Sequence, residues 1–372
     1  MMINLAPKYI QAIAPYQGGK PIAEVAREMG LRVEDIVKLA SNENPLGISP
    51  KAEFAIQKAL LDIARYPDGN SFTLREAVSK KFSVRPEELV FGNGSNDILE
   101  LVARAYLTPD NETIYSQHAF AVYALVTLAL GARGVVVPAI DFGHDLDGML
   151  LAITAKTRII FLANPNNPTG TLIDKAELFN FLKKVPSTVL VVLDEAYDEY
   201  LPTIQKSEAV AWIKEFDNLI ISRTFSKAYG LAGLRIGFGV CHPTIADMMN
   251  RVRQPFNVNS IAQAAAIASL DDDDFLARSY ALNQAGMQQL MQGLDKLNLT
   301  YIPSKANFIS FKITDAMTVN QKLLQKGVIV RPIANYEMPD YLRVSIGLYK
   351  DNARFLEVLE QVINSYNPLL KP

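Results

Sequence analysis

Lys227 follows the apolar run Leu219-Ile220-Ile221 and sits among three hydroxyls, those of Ser222, Thr224 and Ser226. The run reads as a buried strand, which puts the lysine at the mouth of a sheet, where an amine can attack a carbonyl and form a Schiff base. Gly230, Gly233, Arg235 and Gly237 come next. Hydroxyl donors and one guanidinium together satisfy several oxygens of a phosphate. An aldehyde that carries a phosphate would use both features, and pyridoxal phosphate is such a compound. A solvated lysine in a glycine-rich turn would show the same local pattern, so the remaining stretches must decide.

Val189–Leu193 is a second apolar run, and it ends in Asp194-Glu195-Ala196-Tyr197. Parallel sheets place ligand groups at the C-terminal edges of their strands. A carboxylate there can keep a pyridine nitrogen protonated, and the charged ring then withdraws electrons from a bound substrate. Tyr197 can donate to a phenolic oxygen on the same ring. The plainer alternative is a capping Asp beside a half-buried Tyr. Asn164-Pro165-Asn166-Asn167-Pro168-Thr169-Gly170 follows Ile159–Ala163 as a rigid turn, which fixes the direction of its Asn side chains. Asn167 would face the ring oxygen from the side opposite Tyr197. Gly92-Asn93-Gly94-Ser95-Asn96 opens an apolar helix. Glycines let backbone approach an oxyanion, and the first amides of a helix attract it, so Ser95 and Asn96 can cradle a phosphate. An ordinary helix cap would look the same. Phe120 can stack on a planar ring or fill a core.

The composition narrows the class. The chain has 372 residues, with 37 basic and 39 acidic side chains and a formal charge of −2. That balance offers neither a nucleic-acid footprint nor a polybasic membrane patch. One cysteine, Cys241, excludes an internal disulfide framework, and His118, His144 and His242 are too scattered for a compact metal motif. No apolar run reaches the roughly 18 residues of a membrane span, and no secretory signal pattern opens the chain. A soluble, cytoplasmic enzyme without a metal is the expectation.

The elements that must position these residues follow from the same patterns. Short apolar runs at Leu89–Phe91, Thr113–Tyr115, Val135–Val137, Ile159–Ala163, Val189–Leu193, Leu219–Ser222 and Ile236–Val240 alternate with helical spacing. Several lack polar alternation, as strands covered on both faces do. The expected fold is α/β, with a large domain built on a seven-stranded, mostly parallel sheet flanked by helices. Residues 300–372 alternate strands (Asn307–Ile313, Val328–Arg331, Tyr341–Ile346) with helices and form a smaller α+β unit. We assign residues 1–20 to an N-terminal arm, 51–255 to the large domain, and 21–50 with 256–372 to the small one. Asp271–Asp274 reads as a solvated loop whose last Asp caps the following helix.

Taken together, Asn167-Pro168-Thr169-Gly170, Asp194-Glu195-Ala196-Tyr197, Ser226-Lys227 and Gly230–Arg235 resemble the class I/II aminotransferases of the fold-type I pyridoxal-phosphate enzymes. The resemblance implies that Lys227 binds the cofactor covalently and then moves the substrate proton. It also implies that Asp194 meets the pyridine nitrogen, that Tyr197 and Asn167 bind the ring oxygen, and that Phe120 stacks on the ring. Ser95, Asn96, Thr224, Ser226 and Arg235 would hold the phosphate. Phe120 stands where a tyrosine is common in the family.

A narrower resemblance, to the histidinol-phosphate aminotransferase branch, covers nearly the whole length. It is carried by Ala14-Pro15-Tyr16, Leu39–Gly47, Arg65-Tyr66-Pro67, Ala306-Asn307-Phe308, Gly327–Pro332 and Leu342–Gly347. It implies exchange of an amino group between histidinol phosphate and glutamate, within histidine biosynthesis. It further implies substrate contacts from Tyr16, Asn44, Arg331 and Arg343, and a homodimer in which Tyr66 reaches the neighbouring subunit's cofactor phosphate. An arginine fork can take a carboxylate or a phosphate bidentately, so Arg343 can serve both substrates in turn. Rival readings are an aromatic amino-acid aminotransferase or a phospho-amino-acid decarboxylase of the same family. More remote is a non-catalytic protein that binds pyridoxal phosphate.

Overall fold

The computed structural model describes residues 5–15 and 18–366. Its strands are β1 (Val37–Lys38), β2 (Leu89–Gly92), β3 (Glu112–Ser116), β4 (Arg133–Val137), β5 (Thr157–Ala163), β6 (Leu190–Asp194), β7 (Leu219–Thr224) and β8 (Gly237–Cys241), followed by β9 (Tyr301–Ile302), β10 (Phe308–Lys312), β11 (Val328–Ile329), β12 (Arg331–Pro332) and β13 (Tyr341–Ser345). All seven expected runs enter one sheet, in the order β2-β8-β7-β6-β5-β3-β4. β8 runs antiparallel to both of its neighbours, and the other pairings are parallel.

Strand parity sorts the apolar side chains into two cores. Ile160, Leu162, Val191, Leu193 and Ile221 face one layer of helices, and Ile159, Phe161, Val192 and Ile220 face the other. This is why the central strands read as unbroken apolar runs: each face is buried under helices. Asp194 ends β6 on the parity of Leu190 and Val192, the side where Phe161 and Tyr123 pack.

The smaller sheet is antiparallel, in the order β12-β13-β10-β9. Helices Asp273–Lys296, Ala316–Gln325 and Tyr349–Tyr366 cover it, and its core holds Ile309, Phe311, Leu342, Val344, Phe355 and Val358. The strand expected over Val328–Arg331 is divided. β11 pairs with β1, whereas Arg331 turns into β12 and pairs with β13.

Two expectations need correction. Helix Ser260–Leu270 presents Ala262, Ala265, Ala266 and Leu270 to the core shared by Ala52, Leu74 and Val78. The large body therefore continues past the boundary placed at residue 255, because small side chains let this helix press against Pro50–Ala59. In the acidic run the capping residue is Asp272 rather than Asp274. Its carboxylate accepts from the Phe275 amide at 3.2 Å and from the Ser49 hydroxyl.

Candidate active site

The C-terminal ends of β5, β6 and β7, together with β2's turn into helix Ser95–Tyr106, enclose a cavity of about 270 Å³. Ser95, Asn96, Phe120, Asn167, Asp194, Tyr197, Thr224, Ser226, Lys227, Arg235, Arg331 and Arg343 all line it. Ser41, Asn42, Glu43 and Tyr336 line it too, none of which the sequence reading had singled out.

Lys227 follows β7 and points its Nζ at the Ser41 carbonyl, 3.1 Å away. Burial, and then the Arg343 guanidinium, lower its pKa to about 8. A larger share of this amine is therefore uncharged near neutral pH than in an exposed lysine. The Tyr197 ring centroid lies 5.9 Å from the same nitrogen.

Asp194 is buried and accepts from the Tyr123 hydroxyl at 3.0 Å and from the Ala196 amide at 3.2 Å. Desolvation raises its carboxyl to about 6. A buried carboxylate held by two neutral donors, with the Lys227 amine only a minor influence on it, suits a protonated ring nitrogen at closer range. Tyr197 is pushed up to about 12 by burial and stays a neutral hydroxyl, which accepts from Asn42 Nδ2 at 2.9 Å.

The Asn164–Gly170 turn is held by its own side chains. Asn164 accepts from the Ile173 amide at 2.8 Å, and Asn166 donates to the His118 carbonyl at 2.9 Å. That leaves Asn167 facing the cavity, with Oδ1 accepting from Arg343. Arg343 also donates to the Ala40 carbonyl at 3.0 Å and lies over the Phe308 ring.

The anion cradle is built from close backbone approaches. Gly94 has φ 87°, and a Cβ there would overlap the Arg235 guanidinium. Helix Ser95–Tyr106 begins at the next residue, so its first-turn amides, which have no helical acceptors, open on the side where Arg235 lies. Arg235 Nη1 donates to Ser226 Oγ at 3.3 Å, and Thr224 Oγ1 accepts from the Ser226 amide at 3.0 Å. Backbone donors, hydroxyls and one guanidinium converge, which is the donor set a phosphate monoester needs.

Three expected residues stand apart. Asn44 spends its amide hydrogens on the Ala228 carbonyl and Ser279 Oγ, both at 2.8 Å, and so braces the loop behind Lys227 without lining the cavity. Tyr66 is 83% exposed and stacks on Phe256 at 4.8 Å. Tyr16 lies outside the described residues. Among the described residues no cluster of His, Cys, Asp or Glu could hold a metal ion, and no helix is long and apolar enough to cross a membrane.

The family described as "Aminotransferase class I and II" matches residues 34–359. A histidinol-phosphate aminotransferase of Methylobacillus flagellatus is 70% identical, covering 98% of this chain and 99% of that one. Histidinol-phosphate aminotransferase 2 of Nitrosospira multiformis is 57% identical over 96% of this chain and 91% of its own. Among solved structures, histidinol-phosphate aminotransferase from Sinorhizobium meliloti, in complex with pyridoxal-5'-phosphate, superposes with a TM-score of 0.90 at 28% identity, covering 98% of this chain and 99% of that one.

Proposed function

This chain belongs to the class I and II aminotransferases, and from that premise we infer that it moves an amino group between histidinol phosphate and 2-oxoglutarate with pyridoxal phosphate as its cofactor. The reaction belongs to histidine biosynthesis. One observation carries the assignment of roles: Lys227, Asp194 and Tyr197 line the same cavity as the anion cradle of Ser95, Asn96, Ser226 and Arg235.

Bound there, pyridoxal phosphate supplies an aldehyde that takes up the amino group and a ring that accepts electrons from the substrate's Cα–H bond. Lys227, with its lowered pKa, holds the cofactor and then takes and returns the proton at the reacting carbon. Asp194 keeps the ring nitrogen protonated. Tyr197 and Asn167 donate to the ring oxygen, and Phe120 covers the ring face. Thr224 supports the Ser226 side of the phosphate cradle. Arg343 holds the glutamate carboxylate in one half of the cycle and the substrate phosphate in the other. Arg331, across the β12–β13 pairing from it, adds a second positive charge. Tyr16 is a further substrate contact in this reading.

The reading includes a cytoplasmic homodimer. Phe54, Leu61, Ile63, Tyr66 and Phe72 are all exposed within one stretch, more apolar surface than a solvated face carries. Covered by a second copy, this face would bring Tyr66 to the neighbouring subunit's cofactor phosphate. Leu61→Asp should convert the sedimenting dimer to monomer, and an unchanged dimer would remove this face from the interface.

The test of function is the half reaction. Glutamate alone should change the cofactor's visible absorbance and release 2-oxoglutarate in stoichiometric amount, and histidinol phosphate alone should change it likewise and release its own keto product. A spectrum that responds to phenylalanine but not to histidinol phosphate would favour the aromatic aminotransferase instead.

A further inference from the structure

Asn42 lies between the two sheets, at the end of the segment that carries β1, with φ 55° in the left-handed region that asparagine tolerates better than most residues. That bend turns both its backbone and its side chain toward Ser345, the last residue of β13. The Asn42 amide N–H donates to Ser345 Oγ at 2.8 Å, and the Ser345 hydroxyl donates to Asn42 Oδ1 at 2.9 Å. Asn307 Nδ2 donates to the Asn42 carbonyl at 3.0 Å. Asn42 is 2% exposed and Ser345 3%, so solvent offers no substitute partner.

These bonds decide which way the Asn42 amide points. The Ser345 hydroxyl proton has Asn42 Oδ1 as its acceptor, and rotating the amide would set Nδ2 there and leave that proton unmatched in a buried site. Nδ2 therefore faces Tyr197 Oη, at 2.9 Å, and Tyr197 must accept. A phenol has one proton to donate. With its oxygen already accepting from Asn42, that proton is left for the cavity side, and the accepted bond strengthens it as a donor.

We propose that Asn42 is a positioning residue: locked by Ser345 of the smaller sheet, its amide donates to Tyr197 and so aims the Tyr197 proton at the cofactor's ring oxygen. The smaller sheet thereby sets the direction of a hydrogen bond made from the larger one. The proposal rests on the cofactor assignment above. Alanine or phenylalanine at position 42 would leave this direction unset, because only a side chain with both donor and acceptor can meet Ser345 on one side and Tyr197 on the other.

A donor aimed at an anionic oxygen favours the anionic form, so it lowers the pH at which the bound cofactor's visible absorbance titrates. Asn42→Gly keeps the left-handed backbone accessible and removes the amide, and it should raise that midpoint by about 0.5–1 pH unit. Ser345→Ala, which unlocks the side-chain amide without removing it and also takes the acceptor of the Asn42 backbone N–H, should move it in the same direction by less. In a Tyr197→Phe background neither substitution should move the midpoint further, a result that a general loosening of the fold would not give. Equal shifts with and without the Tyr197 hydroxyl would overturn the proposal, as would no shift in Ser345→Ala. Wild-type protein that develops no visible absorbance with pyridoxal phosphate would instead defeat the cofactor assignment itself.

Discussion

The Tyr123 hydroxyl donates to Asp194 Oδ2 at 3.0 Å from beneath the sheet, with the Tyr123 ring stacked on Phe161 at 4.8 Å and 2° between planes. Hydrogen bonding from Tyr123 lowers the Asp194 carboxyl while burial raises it to about 6. In cofactor-free protein a proton on Asp194 removes the charge that a ring nitrogen would meet. Cofactor affinity should therefore fall as pH drops through about 6. Tyr123→Phe removes a donor to the charged form, so the fall should begin at higher pH. Fluorescence titration of pyridoxal phosphate into the cofactor-free protein across pH 5 to 8 measures both midpoints. Coincident midpoints would separate Tyr123 from the acid.

Lys227 gives a second pH dependence, in the same direction but at higher pH and in a rate rather than an affinity. Its pKa is lowered to about 8 by burial and by Arg343, so the uncharged, reactive fraction of its amine grows as pH rises toward that value. The rate at which cofactor absorbance appears after mixing should rise over the same range. Arg343→Gln removes a like charge and should shift that rise to higher pH. Stopped-flow mixing at a series of pH values checks the direction, and a downward shift would contradict the electrostatic account.

Much of this was legible in the chain because burial leaves a compositional trace. β5, β6 and β7 read as strands from their unbroken apolar runs, and Asp194 stood out as a charge at the end of one of them. Asn42 did not stand out. Ser41-Asn42-Glu43-Asn44 offers two asparagines of identical chemistry, and only the left-handed turn at Asn42 sends one toward Tyr197 and the other toward Ala228. Tyr123 carries no such mark in the sequence, since its hydroxyl partner comes from a strand 71 residues along the chain. Helix Ser260–Leu270 was placed with the wrong body because an alanine-rich sequence shows that it is buried but not under which sheet.

Arg331 tests substrate choice. It is half-buried on the cavity wall and pairs directly with Arg343 across β12 and β13. A hydrogen bond to a charged group contributes about 1.5–3 kcal/mol, or roughly 10–150-fold in binding. Arg331→Gln should lower kcat/KM for histidinol phosphate by roughly that factor and leave phenylalanine nearly unchanged. Steady-state kinetics with the two substrates decide it. Equal losses would place Arg331 in a general structural role.

Arg223 lies beneath the site and matters through stability. Buried on β7, it donates to Glu195 at 2.7 Å and Glu199 at 2.9 Å and lies 3.0 Å from Asp198. These carboxylates flank Asp194 and Tyr197 in sequence, so the arginine fixes the loop on which both stand. Removing one partner of a buried ion pair costs about 3–5 kcal/mol, because the remaining charges stay desolvated. Arg223→Met should lose about that much in urea denaturation at pH 8. The loss should shrink on acidification. Burial, and then Asp198, raise the Glu195 carboxyl to about 7, so its contribution is complete below the ordinary carboxyl range and is lost as pH rises through that value. Without Arg223 that carboxyl rises further, and protonation relieves the buried charge at pH 5. A loss of equal size at pH 5 and pH 8 would mean that Arg223 acts through packing rather than through charge.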